Sequence, residues 1–176
     1  MSKMWWQCII RLKDYMKNSV KPGLYLSGAI EHAIGNPNKW RQKMHKELYK
    51  DYKVVIPYAK DCPFKKDEEL YKSFIKEQFI MPDMSDVAKS QYFFVKIDKG
   101  VFKGAGTVSE MALAAWLGKH IIYMYENIKE IDMPGWSLGC LEGGIRVASI
   151  DEAIQIYKDL ANINSKKHDR NKGTKA

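Results

Sequence analysis

Apolar residues occur along this chain in two patterns, short unbroken runs and stripes spaced by three or four residues. The runs "GLYLSGAI" (23–30), "KVVIPY" (53–58), "YFFVKI" (92–97), "HIIYMY" (120–125) and "GIRVAS" (144–149) read as buried strands. Between them, "NKWRQKMHKELYKDY" (38–52) places Trp40, Met44, Leu48 and Tyr52 on one helical face. The segment "DEELYKSFIKEQFI" (67–80) predicts another helix, which Pro82 is expected to interrupt because proline has no amide to donate. A short helical turn, "DMSDVAKS" (83–90), then leads into the third strand. A glycine-rich loop at 104–106 opens a further helix, and "SIDEAIQIYKDLA" (149–161) predicts a closing one capped by Ser149 or Asp151. Strands alternating with helices give the expected fold class: α/β, a Rossmann-like or flavodoxin-like parallel sheet of about five strands with helices on both faces. The stretch 126–144, rich in glycine, is expected to be the longest irregular piece, a lid or a subunit contact.

Composition adds little to that picture, but the placement of charge adds more. The net charge of +8 is carried by the two ends: residues 1–22 and residues 163–176 each hold five basic residues against one acid, and the middle balances. A groove tracking a phosphate backbone needs basic side chains on the folded body, so nucleic acid is not the expected partner. Three units follow: a basic amphipathic N-terminal extension (1–22), a main domain (23–162) and a basic flexible tail (163–176). In the extension, Trp5, Ile9, Leu12 and Met16 share a helical face that is expected to pack on the body or on a second subunit, with membrane-surface attachment as the competing reading. No apolar run reaches the roughly 20 residues of a membrane-spanning helix, and no signal peptide is read. Cys8, Cys62 and Cys140 are odd in number and widely spaced, which suits free thiols and a cytoplasmic setting. The four histidines show no metal-ligand spacing, so neither a metal nor a cofactor is expected.

In an open parallel sheet, ligands bind beyond the carboxyl ends of the strands. Three such places stand out: Ser27-Gly28-Ala29 after the first strand, Asp98 after the third, and Gly104-Ala105-Gly106 at the mouth of the helix holding Glu110. Thr107-x-x-Glu110 fits a capping box, in which Thr and Glu each satisfy a backbone amide of the first turn. From these residues alone, Glu110 is either a helix cap or a reactive carboxylate.

The wider constellation resembles the nucleoside 2-deoxyribosyltransferase family and its relatives that hydrolyse deoxynucleoside 5'-monophosphates. Its carriers are Tyr25-Leu26-Ser27-Gly28-Ala29-Ile30-Glu31 on the first strand, Trp40-Arg41 on the next helix, and Asp83 one short helical segment before the third strand. Asp98 then follows the strand, with Gly106-Thr107-Val108-Ser109-Glu110 and Gly118-Lys119 in the next helix. The likeness spans about residues 23–160. Ala29 stands where the family commonly has proline, and the stretch from Asp98 to Gly106 is longer than in compact members.

The resemblance implies an enzyme that breaks the N-glycosidic bond of a 2'-deoxynucleoside or its 5'-monophosphate and passes the sugar to another base or to water. Glu110 would be the nucleophile at an oxocarbenium-like centre. Asp83 would protonate the departing base, with Asp86 as its competitor one turn on. Tyr25 would orient the nucleophile. Ser27, Gly28, Ala29, Asp98, Gly106, Thr107 and Ser109 would bind sugar hydroxyls or a 5'-phosphate, aided by the positive end of the helix. No cofactor is implied, the substrate is a small-molecule nucleoside or nucleotide, and a homo-oligomer, dimer or larger, is expected. Two alternatives remain: a phosphoribohydrolase, whose loop reads Pro-Gly-Gly-x-Gly-Thr where this chain has Phe102-Lys103-Gly104-Ala105-Gly106-Thr107, and a non-catalytic nucleotide-binding module.

Overall fold

Five strands make one sheet: β1 (Gly23–Gly28), β2 (Lys53–Val55), β3 (Tyr92–Ile97), β4 (His120–Tyr125) and β5 (Ile145–Val147). The computed structural model describes residues 21–33, 35–57 and 63–173, with side chains through residue 164. The strand order is β2-β1-β3-β4-β5 and every neighbouring pair is parallel, in register from Leu24 with Tyr92 and from Tyr92 with His120. This is the flavodoxin-like order, and the α/β fold expected from the alternation is the fold observed.

Side chains on a strand alternate between the two faces, and here both faces are covered. Leu24, Leu26, Tyr92, Phe94, Ile122 and Met124 enter one core, closed by α1 (Lys39–Leu48) and α6 (Ile150–Gly173) through Trp40, Met44, Ala153 and Tyr157. Tyr25, Phe93, Val95, Ile97 and Ile121 enter the other, where Val87, Met111, Ala114 and Cys140 meet them. Those four come from α3 (Met81–Lys89), α4 (Gly106–Trp116) and α5 (Gly135–Cys140).

Three expectations change. Pro82 does not interrupt the helix: α2 (Glu69–Ile75) passes through a π-helical turn at Lys76–Ile80 straight into α3. The amide of Met81 bonds the Lys76 carbonyl, so the wider turn just before Pro82 makes room for its ring and absorbs its missing donor. The stretch 126–144 is not irregular throughout, since it holds a 3-10 turn at Glu130–Asp132 and α5. The closing helix runs past residue 161 to Gly173, taking in most of the basic segment assigned to a tail. No proline stops it, and glycine arrives only at its end. Ser149, rather than Asp151, caps it, its Oγ accepting the Glu152 amide at 3.1 Å. The amphipathic face of Trp5, Ile9, Leu12 and Met16 lies outside the described residues. Cys140 is a free, buried thiol; Cys8 and Cys62 also lie outside the described residues. Among the described residues no helix is long and apolar enough to cross a membrane.

Candidate active site

The strand order reverses between β1 and β3, and at such a switch point the loops diverge and leave a crevice at the carboxyl ends. Period two sends Tyr25 and Ser27 of β1 to the same face, toward α4. On α4 the buried residues are Thr107, Glu110, Met111 and Ala114, a single stripe that includes one acid. Glu110 therefore faces β1. Tyr25 Oη donates to Glu110 Oε1 at 2.8 Å and Ser27 Oγ donates to Glu110 Oε2 at 2.5 Å. Both carboxylate oxygens are held.

This arrangement excludes the capping box. The cap position of α4 is Ala105 and no side chain caps it, so Thr107 and Glu110 already lie inside the helix. Glu110 points sideways across the core with 6% of its surface exposed. Burial lifts its pKa from the ordinary value to about 7, against the pull of the Ser27 and Tyr25 hydrogen bonds; the charge of Asp83 lifts it further, and that of Arg41 opposes. Tyr25 is fully buried and stacks on Phe93 at 5.9 Å; burial, then the Glu110 charge, raises its phenol far above the ordinary value, so it stays a neutral donor.

Asp83 lies half-buried in the first turn of α3. Its charge acts on both Glu110 and Tyr25, whereas that of Asp86 acts on Tyr25, and more weakly than Asp83 does there. Of the two candidate acids, Asp83 is the one whose charge acts on Glu110.

Arg41 is fully buried and clamps the end of β1. Its Nε donates to the Leu26 carbonyl at 3.2 Å, Nη2 to Gly28 at 2.8 Å and Nη1 to Pro37 at 2.6 Å. The guanidinium also sits 4.4 Å from the Trp40 ring centre. Burial lowers its pKa to about 10, and the charges of Glu110, Tyr25 and Asp98 act against that loss, so it stays cationic at neutral pH. Gly28, with φ of 154°, has no room for a side chain: a Cβ would meet the Lys96 carbonyl at 3.0 Å and Arg41 Nη2 at 3.3 Å.

The remaining predicted residues divide by how free they are. Gly106 and Ser109 are exposed at the mouth of α4, Ala29 is half-buried after β1, and Thr107 is 9% exposed. Asp98 is buried, and its Oδ1 accepts the Gly100 amide at 2.8 Å, which commits half of that carboxylate to its own loop. The Ser27 hydroxyl, expected to meet substrate, spends its proton on Glu110 instead. The signal for that partnership in the sequence is the spacing of Tyr25 and Ser27, which two apart on a strand share a face. A surface cleft of about 560 Å³ lies elsewhere, between α1 and α6, lined by Lys46, Glu47, Lys50 and Lys158. It contains none of the switch-point residues, so chemistry and not volume locates the site. Among the described residues no three His, Cys, Asp or Glu side chains cluster as a metal centre requires.

Fold and site together define a parallel α/β protein with a doubly held carboxylate at its switch point. No protein-family model matches the chain, and no curated protein matches it. Among solved structures it is similar to the CMP N-glycosidase BcmB of Clostridium botulinum, at a TM-score of 0.48 and 14% identity, over 77% of this chain and 97% of that one.

Proposed function

We propose that this protein cleaves the N-glycosidic bond of a 2'-deoxynucleoside or its 5'-monophosphate, with Glu110 as nucleophile. The observation that carries the reading is the Tyr25–Glu110–Ser27 arrangement at the switch point, beside a second carboxyl group on α3. As the bond from C1' to the base breaks, positive charge grows at C1' and a Glu110 oxygen bonds to it. The electron pair of the broken bond leaves with the base, which takes its proton from Asp83. Water or a second base then attacks C1', Glu110 leaves with its electron pair, and Asp83 receives the proton of the attacking group. Tyr25 and Ser27 fix the direction of the carboxylate and lower the cost of its charge in a buried place. Burial keeps that charge poorly solvated and therefore reactive.

The motif resemblance of residues 23–160 supports a deoxyribosyl substrate. Exposed Trp116 and Trp136, at 82% and 72% on the adjacent helices α4 and α5, support assembly into a homo-oligomer. The slight exposure of Glu110 favours one second reading, a nucleotide-binding module without catalysis.

The test is incubation with each deoxynucleoside and deoxynucleoside 5'-monophosphate, with and without a free acceptor base, and chromatography of the products. Free base with deoxyribose or its phosphate marks hydrolysis, and a new nucleoside marks transfer. Unchanged substrates throughout, with binding retained, would favour the module.

A further inference from the structure

The helical stretch that carries Asp83 also carries a line of aromatic side chains. Phe74, Phe79, Asp83 and Val87 are spaced by five, four and four residues. Steps of four nearly hold one face of an α-helix, and the π turn at Lys76–Ile80 widens one step to five, so the four side chains share a face. The foot of this stripe is fixed, since Val87 is fully buried with Tyr25 and Phe93. One turn above it, Asp83 is the acid whose charge reaches Glu110. Phe79 and Phe74 continue the stripe away from the core. Both are half-buried, yet neither belongs to a core cluster. Their rings pack edge to face at 6.0 Å, and Phe74 meets Phe64 in the same way at 5.7 Å. Ile80 and Met81, off the stripe, are about half exposed, at 48% and 57%.

We propose that Phe79, backed by Phe74, is the platform on which the flat face of the departing base stacks. The inference rests on the glycosidase reading of Glu110 and Asp83. A base protonated by Asp83 must lie beside that carboxyl and away from Val87, which closes the core side. Phe79, four residues before Asp83 and on the side away from Val87, is the next ring of the stripe. The π turn is then a positioning element, because a regular helix would rotate Phe74 out of line behind it. An aromatic ring reads the π face common to all bases, so purine and pyrimidine nucleotides should both be bound.

Affinity tests this without depending on turnover. In the Glu110→Gln background, deoxyadenosine monophosphate, deoxycytidine monophosphate and base-free deoxyribose 5-phosphate are titrated calorimetrically into protein with Phe79, Phe79→Leu or Phe79→Tyr. The platform predicts that Phe79→Leu weakens both nucleotides roughly ten- to hundredfold. It also predicts unchanged affinity for deoxyribose 5-phosphate and recovery of nucleotide binding in Phe79→Tyr. Unaltered nucleotide affinity in Phe79→Leu, equal weakening of the base-free sugar phosphate, or no nucleotide binding at all overturns the platform. A loss confined to one base overturns its tolerance. Turnover that survives Glu110→Gln is a different failure, that of the glycosidase reading, and is scored in a separate assay.

Discussion

Two helix starts in this protein carry the same four-residue signature and use it in opposite ways. At α6, Ser149-x-x-Glu152 acts locally: Ser149 Oγ accepts the Glu152 amide, and Glu152 Oε2 accepts the Ala148 amide at 2.7 Å, both groups exposed. At α4, Thr107-x-x-Glu110 begins one residue inside the helix, and its acid lies on the buried stripe, held by two hydroxyls of β1. The cap gains by satisfying amides that water could also satisfy. The buried acid gives up hydration, and its pKa of about 7 records that cost. A carboxylate kept at such a cost, at the sheet's switch point, does not end the helix, and the proposed reaction would give it a use.

Exchanging acid for amide at the two positions should separate them most widely. Glu110→Gln is expected to lower kcat about a thousandfold or more, while the fold persists because both facing hydroxyls can turn to suit an amide. Glu152→Ala is expected to leave kcat unchanged and to cost about 0.5–1.5 kcal/mol in denaturant unfolding. Equal behaviour of the pair in both assays would erase the distinction.

Asp83→Asn comes next, with an expected loss of about a hundredfold or more in kcat/KM, smallest for bases that leave easily. Because the Asp83 charge raises the Glu110 pKa, this variant should also move the acidic limb of the pH–rate profile to lower pH. Tyr25→Phe should act in the other direction on that limb, since its hydrogen bond lowers the same pKa, with about a tenfold loss in kcat.

Stability offers a difference that does not depend on turnover. The folded pKa of Glu110 is raised from 4.5 to about 7, so the folded state holds a proton that the unfolded state releases. Its contribution is full below about pH 4.5 and is lost as pH rises through 7, on the order of 3 kcal/mol. Unfolding of the wild type across that window should show this decline relative to Glu110→Gln, which lacks the titrating group.

What could be read from sequence follows the range of the forces involved. β3 and β4 are legible residue by residue, because strands buried on both faces are continuous apolar runs closed by polar residues. The π turn is not, because Pro82 signals a break and only packing decides whether a wider turn absorbs it. α5 is hidden as well: its "GWSLGC" has two glycines and no apolar stripe, and Ser137 and Cys140 are buried by tertiary contact. The site divides likewise. Motif resemblance points to Tyr25, Asp83 and Glu110, yet the helical signature at Glu110 reads equally well as a cap. The neighbour that decides between those readings, Ser27, is 83 positions away.

The central claim is that Glu110 bonds to C1'. A deoxynucleoside monophosphate bearing fluorine at C2' slows both steps by destabilising the developing cation, so the sugar remains on the enzyme long enough for mass spectrometry. The account predicts one added fluorodeoxyribosyl phosphate on the peptide containing Glu110, absent in Glu110→Gln. A label on another residue, or base release with no covalent adduct at any time, would contradict it.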